Sequence, residues 1–115
     1  MTERSILFLL PPGFVDQGRR EFCPECAEIW GFLHYFPAIK ESLDIRYEAL
    51  AHPRAGLVSL LGEGKWNCPT LVLSEGAPAD EAAIKTANGR RYLGSARDIA
   101  RYFASLYGTP FPRGS

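Results

Sequence analysis

The chain has 115 residues, 46% of them apolar, and its 13 basic side chains balance 13 acidic ones. That size suits one domain over 1–115 with a core of its own. A net charge of zero gives no long-range field to gather nucleic acid or anionic lipid, so neither is expected as a partner.

The first predicted element is the apolar run Ile6-Leu7-Phe8-Leu9-Leu10 with Ser5 before it, of strand length and apolar throughout, as a strand covered on both faces must be. It is too short to span a membrane, and Pro11-Pro12 follows where a signal peptide would carry small residues. A soluble, cytoplasmic protein is the expectation. Residues 11–22 mix prolines, glycines and charges and read as one long loop before the first cysteine.

A helix is predicted to begin at Cys23-Pro24-Glu25-Cys26, because proline suits the first helical position and Cys26, Ile29, Leu33 and Phe36 recur at three- and four-residue steps; Pro37 limits it. Leu43 to Ala49 alternates, with Leu43, Ile45, Tyr47 and Ala49 on one face, and reads as a half-buried strand. Pro53 can start a short second helix carrying Leu57, Leu60 and Leu61, ended by Gly62-Glu63-Gly64. Thr70 to Leu73 is the third strand. After a polar stretch from Ser74 to Thr86, the Asn88-Gly89 turn leads into Arg90 to Leu93 as the fourth.

Ser95-Ala96-Arg97-Asp98 has capping spacing, and Ile99, Phe103 and Leu106 form the apolar stripe of a last helix; residues 109–115 are an irregular tail. The expected fold class is α/β, a four-stranded mixed sheet in the order β-α-β-α-β-β-α with three flanking helices.

Three cysteines carry the chemistry. Two share a two-residue gap at a helix start, within bonding or chelating reach, and Cys68 stands directly before Pro69 at the mouth of a strand. In a reducing compartment a Cys-x-x-Cys is more often redox-active or metal-binding than a structural staple. At a helix N-terminus, free N–H groups and the positive end of the macrodipole favour a thiolate, which makes Cys23 the expected nucleophile. Cys26, one turn in and less exposed, can resolve a mixed disulfide formed at Cys23. Cys68 is as readily a small packed hydrophobe as a functional thiol.

The competing reading is a non-catalytic metal-binding or adaptor module with Cys23, Cys26 and Cys68 as thiolate ligands to zinc or iron. His34 lies eight residues past Cys26 on the same predicted helix, too far to share a metal with it. His52, at the carboxyl end of the second strand, is the one credible protein fourth ligand. Arg97 and Asp98, at the start of the last helix, can hold the charged end of a glutathione, although capping alone explains Ser95 and Asp98.

The element order together with Cys23-Pro24-Glu25-Cys26 and Cys68-Pro69-Thr70-Leu71 resembles the thioredoxin-like superfamily, closest to its glutaredoxin and glutathione transferase N-terminal branch, over residues 5–107. Gly94-Ser95-Ala96-Arg97-Asp98-Ile99 is similar to the segment that opens the last helix in both branches. The resemblance implies a nucleophilic Cys23, a resolving Cys26, a cis peptide before Pro69 that presents the Cys68 backbone to a substrate, and thiol-disulfide exchange on protein disulfides or glutathione, with no bound cofactor required. More narrowly, Phe22 to Ile29, the long preceding loop and His52-Pro53-Arg54 resemble a small bacterial family known only as domain of unknown function 3088. The chain departs from the broader pattern in that loop, in Cys68 where thioredoxins usually carry threonine, valine or isoleucine, and in Ala96 where the transferase branch has a ligand-binding serine.

Overall fold

The computed structural model describes residues 3–115. Strand β1 (Ile6–Leu9) is buried along its whole length, as its unbroken apolar run requires. It is flanked by β4 (Asp44–Tyr47), which runs parallel to it, and by β5 (Thr70–Val72), which runs antiparallel. Outside β5 come β7 (Arg90–Leu93) and then β6 (Lys85–Ala87), both antiparallel to their neighbours, so the five-stranded sheet has the order β4-β1-β5-β7-β6.

Two features correct the expected four-stranded sheet and three helices. Lys85 and Thr86, read as the end of a polar connection, form a strand with Ala87 that folds back on β7 across Asn88-Gly89, whose φ angles of 51° and 73° are those of a tight primed hairpin turn. Pro37, read only as a helix stop, opens a further helix. After α1 (Pro24–Tyr35) the chain leaves helical geometry at Phe36 (φ −128°), and Pro37 becomes the first residue of α2 (Pro37–Glu41).

The segment read as a long loop before Cys23 carries a two-stranded hairpin of its own, β2 (Phe14–Asp16) and β3 (Arg19–Glu21). Its turn is Gln17-Gly18, both at positive φ. Strand β4 is shorter than the alternation implied, and Tyr47 stands half exposed because β4 is an edge strand.

Helix α3 (Ala55–Leu61) starts two residues after Pro53, with Glu48 Oε2 accepting from Leu57 N at 2.9 Å to satisfy one of its free first-turn amides. Helix α4 (Ala96–Tyr107) is capped by Ser95, whose Oγ accepts from Asp98 N at 3.1 Å. Helices α1 and α4 pack on each other, and α4 also meets β5. Phe8, whose side chain points opposite to Leu7 and Leu9 along β1, lies under α3 at Gly56. Among the described residues no helix is long and apolar enough to cross a membrane.

The contact at Gly56 is tight enough to test. A methyl group there would stand 2.8 Å from Phe8 Cε1 and 3.2 Å from Glu48 Oε1, and Phe8 is 1% exposed and cannot swing away. Overpacking of this kind costs about 1–3 kcal/mol, against a gain of about 1 kcal/mol in helix propensity. Gly56→Ala is therefore expected to lower the urea midpoint, and an unchanged or raised midpoint would show that α3 rides freely over Phe8.

Candidate thiol site

Cys23 is the N-cap of α1, with extended backbone (φ −79°, ψ 115°) and Pro24 as the first helical residue. Its Sγ occupies the place a serine oxygen takes in an ordinary cap and accepts from Cys26 N at 3.1 Å. Cys23 is half-buried, whereas Cys26 and Cys68 are only 3% and 4% exposed.

Cys26 sits one turn into the core, where Leu10 N donates to its Sγ at 3.5 Å. Burial pushes its pKa from 9.0 up to about 12; the Leu10 amide pulls the other way, and the two neighbouring cysteines add to the rise. At neutral pH it is a thiol.

Cys68 lies across from Cys23 at the entry to β5, joined to Pro69 by a cis peptide bond. Cys23 Sγ is 3.8 Å from the Cys68 carbonyl oxygen, to which its thiol form donates. The Cys68 side chain points into the protein. Burial pushes it up to about 11, opposed by the positive charge of Arg54 and reinforced by Glu48. Backbone and side chain of this residue thus face different surroundings.

Arg54 was visible in the sequence only within His52-Pro53-Arg54. It is 7% exposed and ties two loops together. Nε donates to Ala49 O at 3.0 Å, Nη2 to Leu50 O at 2.9 Å and Nη1 to Trp66 O at 3.0 Å. The Trp66 ring meets Tyr92 edge-on and its Nε1 donates to Gly62 O at 2.7 Å, which fixes the approach to Asn67 and Cys68 from the other side.

The remaining candidates make contacts of their own. Arg97 Nε donates to Glu28 Oε2 at 2.9 Å and Nη1 donates to Arg113 O at 3.2 Å. Asp98 receives the Ser95 cap through its amide, and both residues line a recess with Glu81 and the last two residues of the chain. Glu25 is half-buried and accepts from Ala96 N at 3.0 Å, spanning from the cysteine motif to the start of α4. His34 is exposed near the end of α1. His52, also exposed, lines a recess with Pro53, Glu63 and Lys65. Among the described residues no group of three or more histidine, cysteine, aspartate or glutamate side chains is arranged to hold a metal ion.

The two raised thiols give the fold an alkaline liability. Where folding raises a thiol's pKa, the unfolded chain releases protons first, so the stabilisation is complete below about pH 9 and is lost as pH climbs towards 11 for Cys68 and 12 for Cys26. Each thiol contributes a fall of up to about 1.4 kcal/mol per pH unit. Urea titrations from neutral pH to above the ordinary thiol value are expected to show that fall. Cys68→Ser, which removes one of the two groups, is expected to show a shallower slope, and identical slopes would mean that Cys68 ionises freely in the folded protein.

No curated protein and no solved structure matches the chain. The model of one family, described as a protein of unknown function (DUF3088), matches residues 4–111, and the chain belongs to that family.

Proposed function

We propose that the chain is a thioredoxin-like thiol-disulfide exchange protein that acts through Cys23 and Cys26 on protein disulfides or glutathione adducts. One observation carries this reading. A half-buried sulfur that caps a helix stands beside a buried, protonated second sulfur and 3.8 Å from the carbonyl of a residue that precedes a cis proline. The strand order β4-β1-β5-β7, with β4 parallel to β1, β5 antiparallel to β1 and β7 antiparallel to β5, supports the thioredoxin-like assignment, with β6 as an added edge.

In the exchange, the Cys23 thiolate attacks one sulfur of the substrate disulfide, breaking the S–S bond and releasing the other sulfur as a thiolate, which takes a proton from water. Cys26 then attacks the Cys23 sulfur and displaces the second substrate sulfur. The proton Cys26 gives up ends on that leaving sulfur. Two electrons have moved from the Cys23-Cys26 pair to the substrate, and an external thiol such as glutathione returns them. A reducing, cytoplasmic setting fits an odd number of cysteines kept as free thiols.

The test is a thiol count with metal analysis on untagged protein. Oxidation by glutathione disulfide is expected to remove two thiols, to place the new disulfide between Cys23 and Cys26 by peptide mapping, and to reverse fully with dithiothreitol. Stoichiometric zinc or iron held by all three cysteines, or an oxidised product that includes Cys68, would overturn the reading.

A further inference from the structure

We propose that the groove between α1, α4 and the C-terminal tail binds a small, uncharged, apolar molecule, at a site separate from the cysteines and independent of the exchange reading. The groove encloses about 410 Å³, within the size range of small-ligand cavities. It is lined by Ile29, Phe32 and Tyr35 of α1 and its C-cap Phe36, by Ala96 and Ala100 of α4, and by Pro110 to Pro112 of the tail. Among the described residues the one charged side chain that lines it, Glu28, has its carboxylate engaged by Arg97. Nothing in the lining therefore calls for an ionic ligand.

The tail wall is held in place. Arg97 Nη1 donates to Arg113 O at 3.2 Å, and the Arg101 guanidinium lies over the Phe111 ring, 5.9 Å from its centre. Tyr35 and Phe111 stand at the mouth 78% and 55% exposed, apolar surface that an occupant would cover.

Gly31 is the second, independent observation. It sits in the middle of α1 and lines the groove, where glycine costs a helix roughly 1 kcal/mol relative to alanine. Local packing does not require it, since a Cβ at this position would meet no atom within 4 Å. Its φ is not in the left-handed region either. What the missing side chain does is keep the groove open. A second protein chain would need roughly 800 Å² of contact on each partner, whereas the volume of this concavity suits a single small molecule.

The probe is N-phenyl-1-naphthylamine, an uncharged fluorophore that brightens in apolar surroundings. Wild-type protein is expected to bind it saturably, one molecule per chain. Gly31→Leu, which fills the groove and favours the helix, is expected to weaken binding at least tenfold with its melting temperature kept or raised. Phe111→Ala, in the exposed tail, is expected to weaken it severalfold without affecting the fold. Absent or non-saturable binding, or undiminished affinity in both variants, would overturn the site. Equal affinity for the anionic analogue 8-anilino-1-naphthalenesulfonate would overturn the uncharged class of ligand. Self-association of the wild type that Gly31→Leu abolishes would assign the face to a second copy of the chain instead.

Discussion

Cys23→Ser is expected to reduce the rate of disulfide reduction to the uncatalysed level, a loss of roughly a hundredfold or more, whereas Cys68→Ser keeps most of the activity. The asymmetry follows from where the three sulfurs lie. Cys23 is the sulfur that a substrate can reach, and a serine hydroxyl in its place would still cap α1 but would not attack a disulfide. Cys68 is 4% exposed and held as a thiol by a pKa pushed up to about 11, so it offers its backbone carbonyl, not its sulfur, to the site. Cys26→Ser separates the two steps: the first attack proceeds, and the mixed disulfide at Cys23 accumulates because nothing resolves it. The rates are read with a small chromogenic disulfide and the adduct by intact mass. Equal losses in Cys23→Ser and Cys68→Ser would contradict the assigned roles.

Much of the frame around these sulfurs was legible because its signals are local. An unbroken apolar run marked β1, and proline after Cys23 with apolar residues at helical steps marked α1. Ser95 three residues before Asp98 marked the cap of α4. What escaped lacks a hydrophobic pattern. Strands β2 and β3 are polar and largely exposed, paired in a small sheet of their own, and their turn is Gln17-Gly18 in place of the more recognisable asparagine-glycine pair. Lys85 to Ala87 is likewise a polar outer strand. Pro37 was ambiguous by its nature, since one residue both ends a helix and suits the first turn of the next. The glutathione candidates Arg97 and Asp98 were placed by sequence order, which could not show the contacts of Arg97 with Glu28 and with the tail.

Arg54 was the hardest to find, and its replacement is expected to have the largest effect on stability. A charged residue directly after a loop proline reads as surface, yet Arg54 is buried because three carbonyls from two separate segments, at Ala49, Leu50 and Trp66, turn inward towards it. Arg54→Met keeps the length of the side chain and removes every donor. Each buried acceptor left without a partner costs about 1–3 kcal/mol. Relief from desolvating the guanidinium and entry of water offset part of that sum, leaving a net loss of about 3 kcal/mol. Arg54→Lys recovers only a fraction, because a single ammonium lacks the planar fork that reaches both segments at once. The same change should be felt at the thiols. Arg54 opposes the burial that raises Cys68, and its bond to Trp66 O fixes the loop that delivers the Cys68 carbonyl to Cys23. Arg54→Met, assayed well below its melting temperature, is therefore expected to slow disulfide exchange more than Cys68→Ser does, although Arg54 is not a catalytic residue. An unfolding free energy from urea titration within about 0.5 kcal/mol of wild type, the range of an ordinary surface substitution, would show that the three carbonyls find other partners and that the loop before Pro69 holds its shape without the guanidinium.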